Sequence, residues 1–188
     1  LKEISQAIKI LILNGAKRKN IVLLHCHTEY PTKLNNVNLF AIKTLKKKFK
    51  IDIGYSDHTI GNETAISAVA LGAKVIEKHI TLKKNMIGPD HKASMEPKEF
   101  IDLVKLIRNT ETLLGSSIKK PSIQELKNKK LVRKSIVART NIKKGEIFSE
   151  ENVICKRPEG GISPLRWPNV VGKKSKKNFQ ADEFISLK

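Results

Sequence analysis

The chain has 188 residues, 37 basic and 18 acidic side chains, a formal net charge of +19 and an apolar share of 39%. That length and apolar content suit one mid-sized core plus a small one, and no run reaches the ~20 consecutive apolar residues of a bilayer-spanning helix. Two cysteines, Cys26 and Cys155, lie far apart, which points to reduced thiols of a cytoplasmic protein rather than to a disulfide framework.

Of the basic residues, 31 are Lys and 6 are Arg. Residues 1–115 carry 19 basic and 11 acidic groups (+8), and residues 116–188 carry 18 and 7 (+11). This diffuse excess lacks the Arg- and aromatic-interleaved stripe of a nucleic-acid binder. It reads as a lysine-solvated surface that also favours anionic substrates. The chain opens at Leu1 rather than Met, so residues upstream are expected.

In chain order, residues 1–15 read as an amphipathic helix, with Ile4, Ala7, Ile8, Leu11 and Ile12 at three- and four-residue spacing and Asn14-Gly15 as the stop. Ile21 to Leu24 is a short continuous apolar run, as in a strand buried on both faces. After a loop through Pro31 and Asn35-Asn36, Leu39, Ile42, Leu45 and Phe49 form the stripe of a second helix. Ile51 to Tyr55 reads as a second strand. Asn62 is placed to cap a third helix whose Ala65, Ile66, Val69 and Ala70 face inward and which Gly72 ends. Lys74 to Ile76 reads as a third strand, and Pro97 opens a fourth helix carrying Phe100, Leu103, Val104, Ile107 and Leu114, closed by Gly115.

Helix and strand alternate at the spacing of a parallel α/β sheet over residues 1–115. Residues 116–131 are polar and lysine-rich with Pro121, and read as a linker. Residues 132–188 hold short β-like pieces at Ser135–Ala138, Ile147-Phe148, Val153–Cys155 and Phe184–Leu187, with a Lys144-Gly145 turn and at most one helical turn over Pro164–Val171. This is a small, mostly β domain of marginal size for independent stability.

Polar chemistry gathers at the strand ends. His25-Cys26-His27-Thr28-Glu29-Tyr30 follows the first strand, Ser56-Asp57-His58-Thr59 the second, and His79-Ile80-Thr81 the third. In a parallel barrel those C-terminal ends converge on one mouth. His58 and His79 occupy matching positions on neighbouring strands. They suit either a shared divalent ion or a hydrogen-bonded pair that orients other groups. Gly88-Pro89 fixes a turn, and Asp90 beyond it is either aimed at the mouth or solvated.

At these residues the sequence resembles the sialic acid synthase (N-acetylneuraminate synthase) family, with its relatives for legionaminic and pseudaminic acids. The matching segments are Leu23–Cys26 with Thr28–Pro31, Gly54–Thr59, Ala68–Ala73 with Val75–His79, and Gly88–Ser94. In the small domain they are Arg133–Ala138, Lys156–Pro158 and Gly161–Ser163. The resemblance implies an α/β fold: the C-terminal part of a (β/α)₈ TIM barrel, followed by an antifreeze-like (SAF, β-clip) domain. It further implies metal-dependent condensation of phosphoenolpyruvate with open-chain N-acetylmannosamine to give N-acetylneuraminate and phosphate by C–O cleavage. A legionaminic acid synthase using a 6-deoxy diacetamido sugar is the runner-up. Mn²⁺ or Mg²⁺ would be held by His58 and His79, which with Asp90 form the expected catalytic set. Ser56 falls where the family binds phosphate and Tyr30 near both substrates. Thr28 is a polar contact in a position that is Asn in some members, and Asp90 contacts the sugar. Arg157 falls on an arginine that reaches the partner chain's site in a domain-swapped dimer. His27 departs from the commoner Thr, and Ile80 from a common Phe. Residues 1–188 alone are expected to be inactive, for want of further phosphate ligands. Outside this reading stand a basic binding module built on the second half and a non-catalytic remnant.

Overall fold

Three short parallel strands, β1 (Val22–Cys26), β2 (Asp52–Asp57) and β3 (Ile76–Lys78), lie side by side in that order. They belong to the first of two compact units, Leu1–Ser117 and Ile118–Lys188, seen in a computed structural model that describes residues 1–188. Helices α1 (Lys2–Leu13), α2 (Ala41–Phe49), α3 (Glu63–Ala70) and α4 (Pro97–Leu114) alternate with the strands. The unit is therefore α/β, in the order expected from the sequence.

One cluster joins Ile42, Leu45 and Phe49 of α2 to Ile53 and Tyr55 of β2, with Ile8 of α1 and Ala68 of α3. Each such aliphatic or aromatic side chain contributes ~1.5–3 kcal/mol when fully buried. A second cluster joins Ala65 of α3, Met95 just before α4, and Leu103 of α4. Gly54 is required where β2 meets the approach to β3, because a Cβ there would lie 2.6 Å from the Val75 carbonyl oxygen.

Several local expectations are corrected. Helix α1 meets the core only along Ile4 and Ile8, and its Leu11 and Ile12 are exposed. In α3 it is Thr64, Ala65, Ala68 and Val69 that are buried, while Ala70 faces out. Asn62 stands at the N-cap position of α3, but its side chain makes no capping bond and its Oδ1 is buried without a partner. The true cap of this kind is at α4, where Glu96 and Glu99 form a reciprocal capping box with Pro97 in the first turn. Strand β3 lies two residues later than the apolar run predicts.

The second unit contains α5 (Ile123–Val132), inside the stretch read as a linker from its composition. Its capping box pairs Ser122 with Glu125. Strands β4 (Ser135–Ala138) and β5 (Val153–Lys156) pair antiparallel, and isolated bridges join Val137 to Phe184, Ile142 to Phe179 and Ile147 to Lys174. The core is Ile136, Ala138, Ile142, Phe148, Val153, Val170, Phe179 and Ile185. The Pro164–Asn169 segment is a 3₁₀ helix. No helix of the chain is long and apolar enough to cross a membrane.

Candidate active site

Register decides which side chains share a face. Ser56 pairs with Glu77 and Asp57 with Lys78. Side chains alternate along a strand, so Ser56 and Glu77 project to one side of the sheet and Asp57 and Lys78 to the other. One step further, His58 and His79 return to the Ser56 side.

There the two imidazoles lie edge to face, with centroids 5.2 Å apart and planes at 82°. Tyr30, from the loop after β1, covers both: its ring is 4.1 Å from that of His58 and 5.4 Å from that of His79. The loop is held in place because Thr32 N–H donates to the His58 carbonyl (2.9 Å) and the Thr32 hydroxyl to the Glu29 carbonyl (2.7 Å). The Asn36 amide, and then the Lys33 N–H, hold the Glu29 carboxyl below the usual carboxylate range. His58 is buried, while Tyr30 is 48% exposed, so the cluster has a covered floor and an open lip.

His58 Nδ1 lies 2.7 Å from the His27 carbonyl oxygen. A carbonyl only accepts, so Nδ1 carries a proton, and in the neutral tautomer the free lone pair is on Nε2. This is the arrangement by which metal-binding histidines are commonly oriented. No group of three or more His, Cys, Asp or Glu side chains converges on one point. An ion at this point would be held by His58 and His79 alone, with water or substrate in its other positions.

Ser56 donates its hydroxyl proton to Glu77 Oε1 at 2.6 Å. Sequence reading passed over Glu77. The available signal was its two-residue offset from His79, which puts both on one face of a strand.

The opposite face carries a buried ion pair that sequence reading also missed. Lys78 Nζ donates to Asp57 Oδ2 (2.8 Å) and to the carbonyls of Thr59 (2.8 Å) and Gly61 (2.9 Å). Asp57 Oδ1 accepts from the Thr59 N–H (2.9 Å) and hydroxyl (2.8 Å). Thr64 also donates to the carboxylate and is hydrogen-bonded to Thr59. Burial, and then the Asp57 charge, push the adjacent Tyr55 phenol well above its ordinary value, so it stays neutral.

The remaining expected site residues of this unit have no contact with the ring cluster. Thr28 is exposed and makes no hydrogen bond, and none reaches the carboxylate of Asp90. The Asp90 backbone carbonyl instead accepts from Ala93 and Ser94, closing the loop before α4. No hydrogen bond or ring contact links either residue to the Tyr30–His58–His79 cluster. His25 turns to the helix side, against Tyr55 and the Val37 carbonyl. His27 Nδ1 accepts from the Glu29 N–H at 3.3 Å, and His91 is hydrogen-bonded to Thr81. Arg157 belongs to the second unit, where it is exposed and its Nε donates to the Val132 carbonyl at 2.9 Å.

Comparison with known proteins follows the same division. Residues 1–119 match the model of the NeuB family and residues 133–188 that of the SAF domain, so the span between them is largely α5. N,N'-diacetyllegionaminic acid synthase of Campylobacter jejuni is 56% identical over 185 residues, 98% of this chain and 55% of that protein. Human N-acetylneuraminate-9-phosphate synthase is 38% identical over 187 residues, 98% of this chain and 50% of that protein. The crystal structure of an N-acetylneuraminic acid synthetase from Leptospira borgpetersenii in complex with citrate superposes with a TM-score of 0.61 at 38% identity, over 68% of this chain and 44% of that one. The chain spans about half the length of the curated relatives it matches. With a family model matched over most of its length, at the strands that carry the ring cluster, this chain belongs to the NeuB family.

Proposed function

We propose that the protein condenses phosphoenolpyruvate with an N-acetylated amino sugar in open-chain form, giving a nonulosonic acid and phosphate. The observation that carries this reading is the shared face of His58 and His79 under Tyr30, beside Ser56 and Glu77, at the C-terminal ends of parallel strands. In this reading the first unit is the C-terminal part of a (β/α)₈ barrel, whose mouth these ends would line. The unpaired outer edge of β1 is consistent with that.

His58 and His79 would hold a divalent cation, Mn²⁺ or Mg²⁺. When bound, such an ion supplies Lewis-acid polarisation of the sugar aldehyde. The chain's own residues do the rest. The Tyr30 ring walls the cluster and shields one side from water. Ser56 is positioned to donate to a phosphate oxygen once it turns from Glu77. Glu77 then carries a free carboxylate close to the reacting carbons, suited to taking or giving a proton. A carbon–carbon bond forms between the phosphoenolpyruvate methylene and the aldehyde carbon. Water adds at the carbon bearing the phosphate, and phosphate leaves with its bridging oxygen. Asp90 and Arg157 are assigned to the sugar. Arg157 acts from the second unit of a partner copy, in a domain-swapped dimer.

Among sugars, a 6-deoxy diacetamido substrate is favoured over N-acetylmannosamine. The support is 56% identity to a diacetyllegionaminic acid synthase, against 38% to an N-acetylneuraminate-9-phosphate synthase. The test is phosphate release by the full-length protein, stripped with chelator and resupplied with Mn²⁺, on both sugars. The diacetamido sugar is expected to give at least about tenfold higher kcat/KM. The reverse order would overturn the sugar assignment, and no phosphate from either sugar would overturn the reaction.

A further inference from the structure

The ladder between β2 and β3 ends at the pair Asp57–Lys78. His58 and His79 stand one residue beyond it, where no β2–β3 rung joins them to each other; their carbonyls are held from the outer sides instead, by the N–H groups of Thr32 and Met95 (2.9 Å each). The side chains of this last rung form the most deeply buried ion pair in the chain, with 1% of the Lys78 side chain and none of that of Asp57 exposed. Every other salt bridge has both partners at least one-third exposed.

A buried ion pair is a poor source of stability, because the loss of hydration offsets the attraction. Its better-attested value is specificity: it accepts one register and one orientation. Here it is fully satisfied. The three ammonium protons of Lys78 go to Asp57 and to the carbonyls of Thr59 and Gly61. The latch therefore joins β3 to the end of β2 and to the turn that follows His58. A slip of one residue in either strand would carry its charge to the wrong face and turn the imidazole that follows it away from Tyr30.

We infer that Asp57 and Lys78 are positioning residues that hold His58 and His79 at the spacing needed to share a cation. This rests on the metal-binding reading above, and the experiment separates the two. Mn²⁺ binding to the full-length protein is followed by the EPR signal of free Mn²⁺, with folding checked by far-UV circular dichroism. His58→Ala tests the metal reading: Mn²⁺ affinity equal to wild type would sink that reading and the latch with it. The paired replacement Asp57→Asn with Lys78→Met removes both charges together, so that neither is left buried alone. In folded protein it is expected to weaken Mn²⁺ binding about tenfold or more. Asp57→Glu keeps the charge and lengthens the arm by one methylene. It is expected to weaken binding in the same direction, and it decides the matter if the paired variant does not fold. If His58→Ala abolishes binding while folded Asp57→Glu or the paired variant binds like wild type, the latch plays no part in positioning. A purely structural pair would alter melting and leave Mn²⁺ affinity unmoved.

Discussion

Ser56 and Glu77 face each other across β2 and β3, with the serine hydroxyl 2.6 Å from the carboxylate, each two residues before a histidine of the ring cluster. Such a charge-assisted bond is short and strong, yet Glu77 is exposed on the open side of the sheet. For the proposed condensation, we predict that Glu77→Gln in the full-length protein lowers kcat by about 10²-fold or more, the range expected for loss of a proton-transfer group. The melting temperature should stay near that of wild type. Ser56→Ala should act mainly on the KM for phosphoenolpyruvate. Steady-state kinetics on the two variants checks this, and an unchanged kcat for Glu77→Gln removes the carboxylate from the reaction.

The second unit has a core that can be tested by one side chain. Phe148 is fully buried and meets Phe179 edge to face, with centroids 5.8 Å apart. Phe148→Ala is expected to cost ~3–5 kcal/mol, a large share of what so small a core supplies. The single tryptophan, Trp167, packs against this core and reports on it alone. Its fluorescence should shift to the unfolded position at much lower denaturant in Phe148→Ala. Leu165→Ala, at a residue 92% exposed, should leave the transition where it was. Equal midpoints for the two variants would contradict the assigned core.

The start of α4 should be acid-sensitive. Glu99 accepts from Lys84 Nζ (2.5 Å) and from the Glu96 N–H (2.8 Å), and these bonds, that from Lys84 first, hold its carboxyl below the ordinary range. A depressed folded-state pKa gives stability that is present above the unfolded value and is lost as pH falls through the folded one. Glu99→Gln keeps an acceptor but removes the charge. Wild type should therefore melt above the variant near neutral pH, and the gap should narrow as pH falls below the ordinary carboxylate range. The effect should shrink in salt, since both partners are partly exposed. A gap that is constant with pH would exclude the carboxylate as its source.

Much of the first unit was legible because its signals are apolar and periodic. Ile42, Leu45 and Phe49 recur at helical spacing and are all buried in α2. Strand β3 was less legible for a physical reason. Its residues are Ile76, Glu77 and Lys78, two of them charged, so hydrophobicity drew the reading back to Lys74 and Val75. Nothing in the sequence alone announces that Lys78 is buried, because its partner lies 21 positions earlier. Helix α5 has no buried residue and hence no apolar stripe to read, although Ser122 and Glu125 already spelled out its cap. Of the candidate site, the ring pair was readable from strand-end placement. The contribution of Tyr30 as a lid over both rings needed the fold of the loop, and the Ser56–Glu77 bond needed the register.

The hydroxyl of Ser135, at the start of β4, receives the N–H groups of Gly160 and Gly161 and gives its own proton to the Pro158 carbonyl, each at 3.0 Å. A Cβ on Gly161 would lie 2.9 Å from the Phe184 ring, so the turn is pressed flat against its own floor. Together with the tether from Arg157 to Val132, this knot makes the arginine a prong on a stiff mount rather than a finger on a loose string. The base of the side chain is thus fixed within the second unit, while the rest of the guanidinium stands exposed.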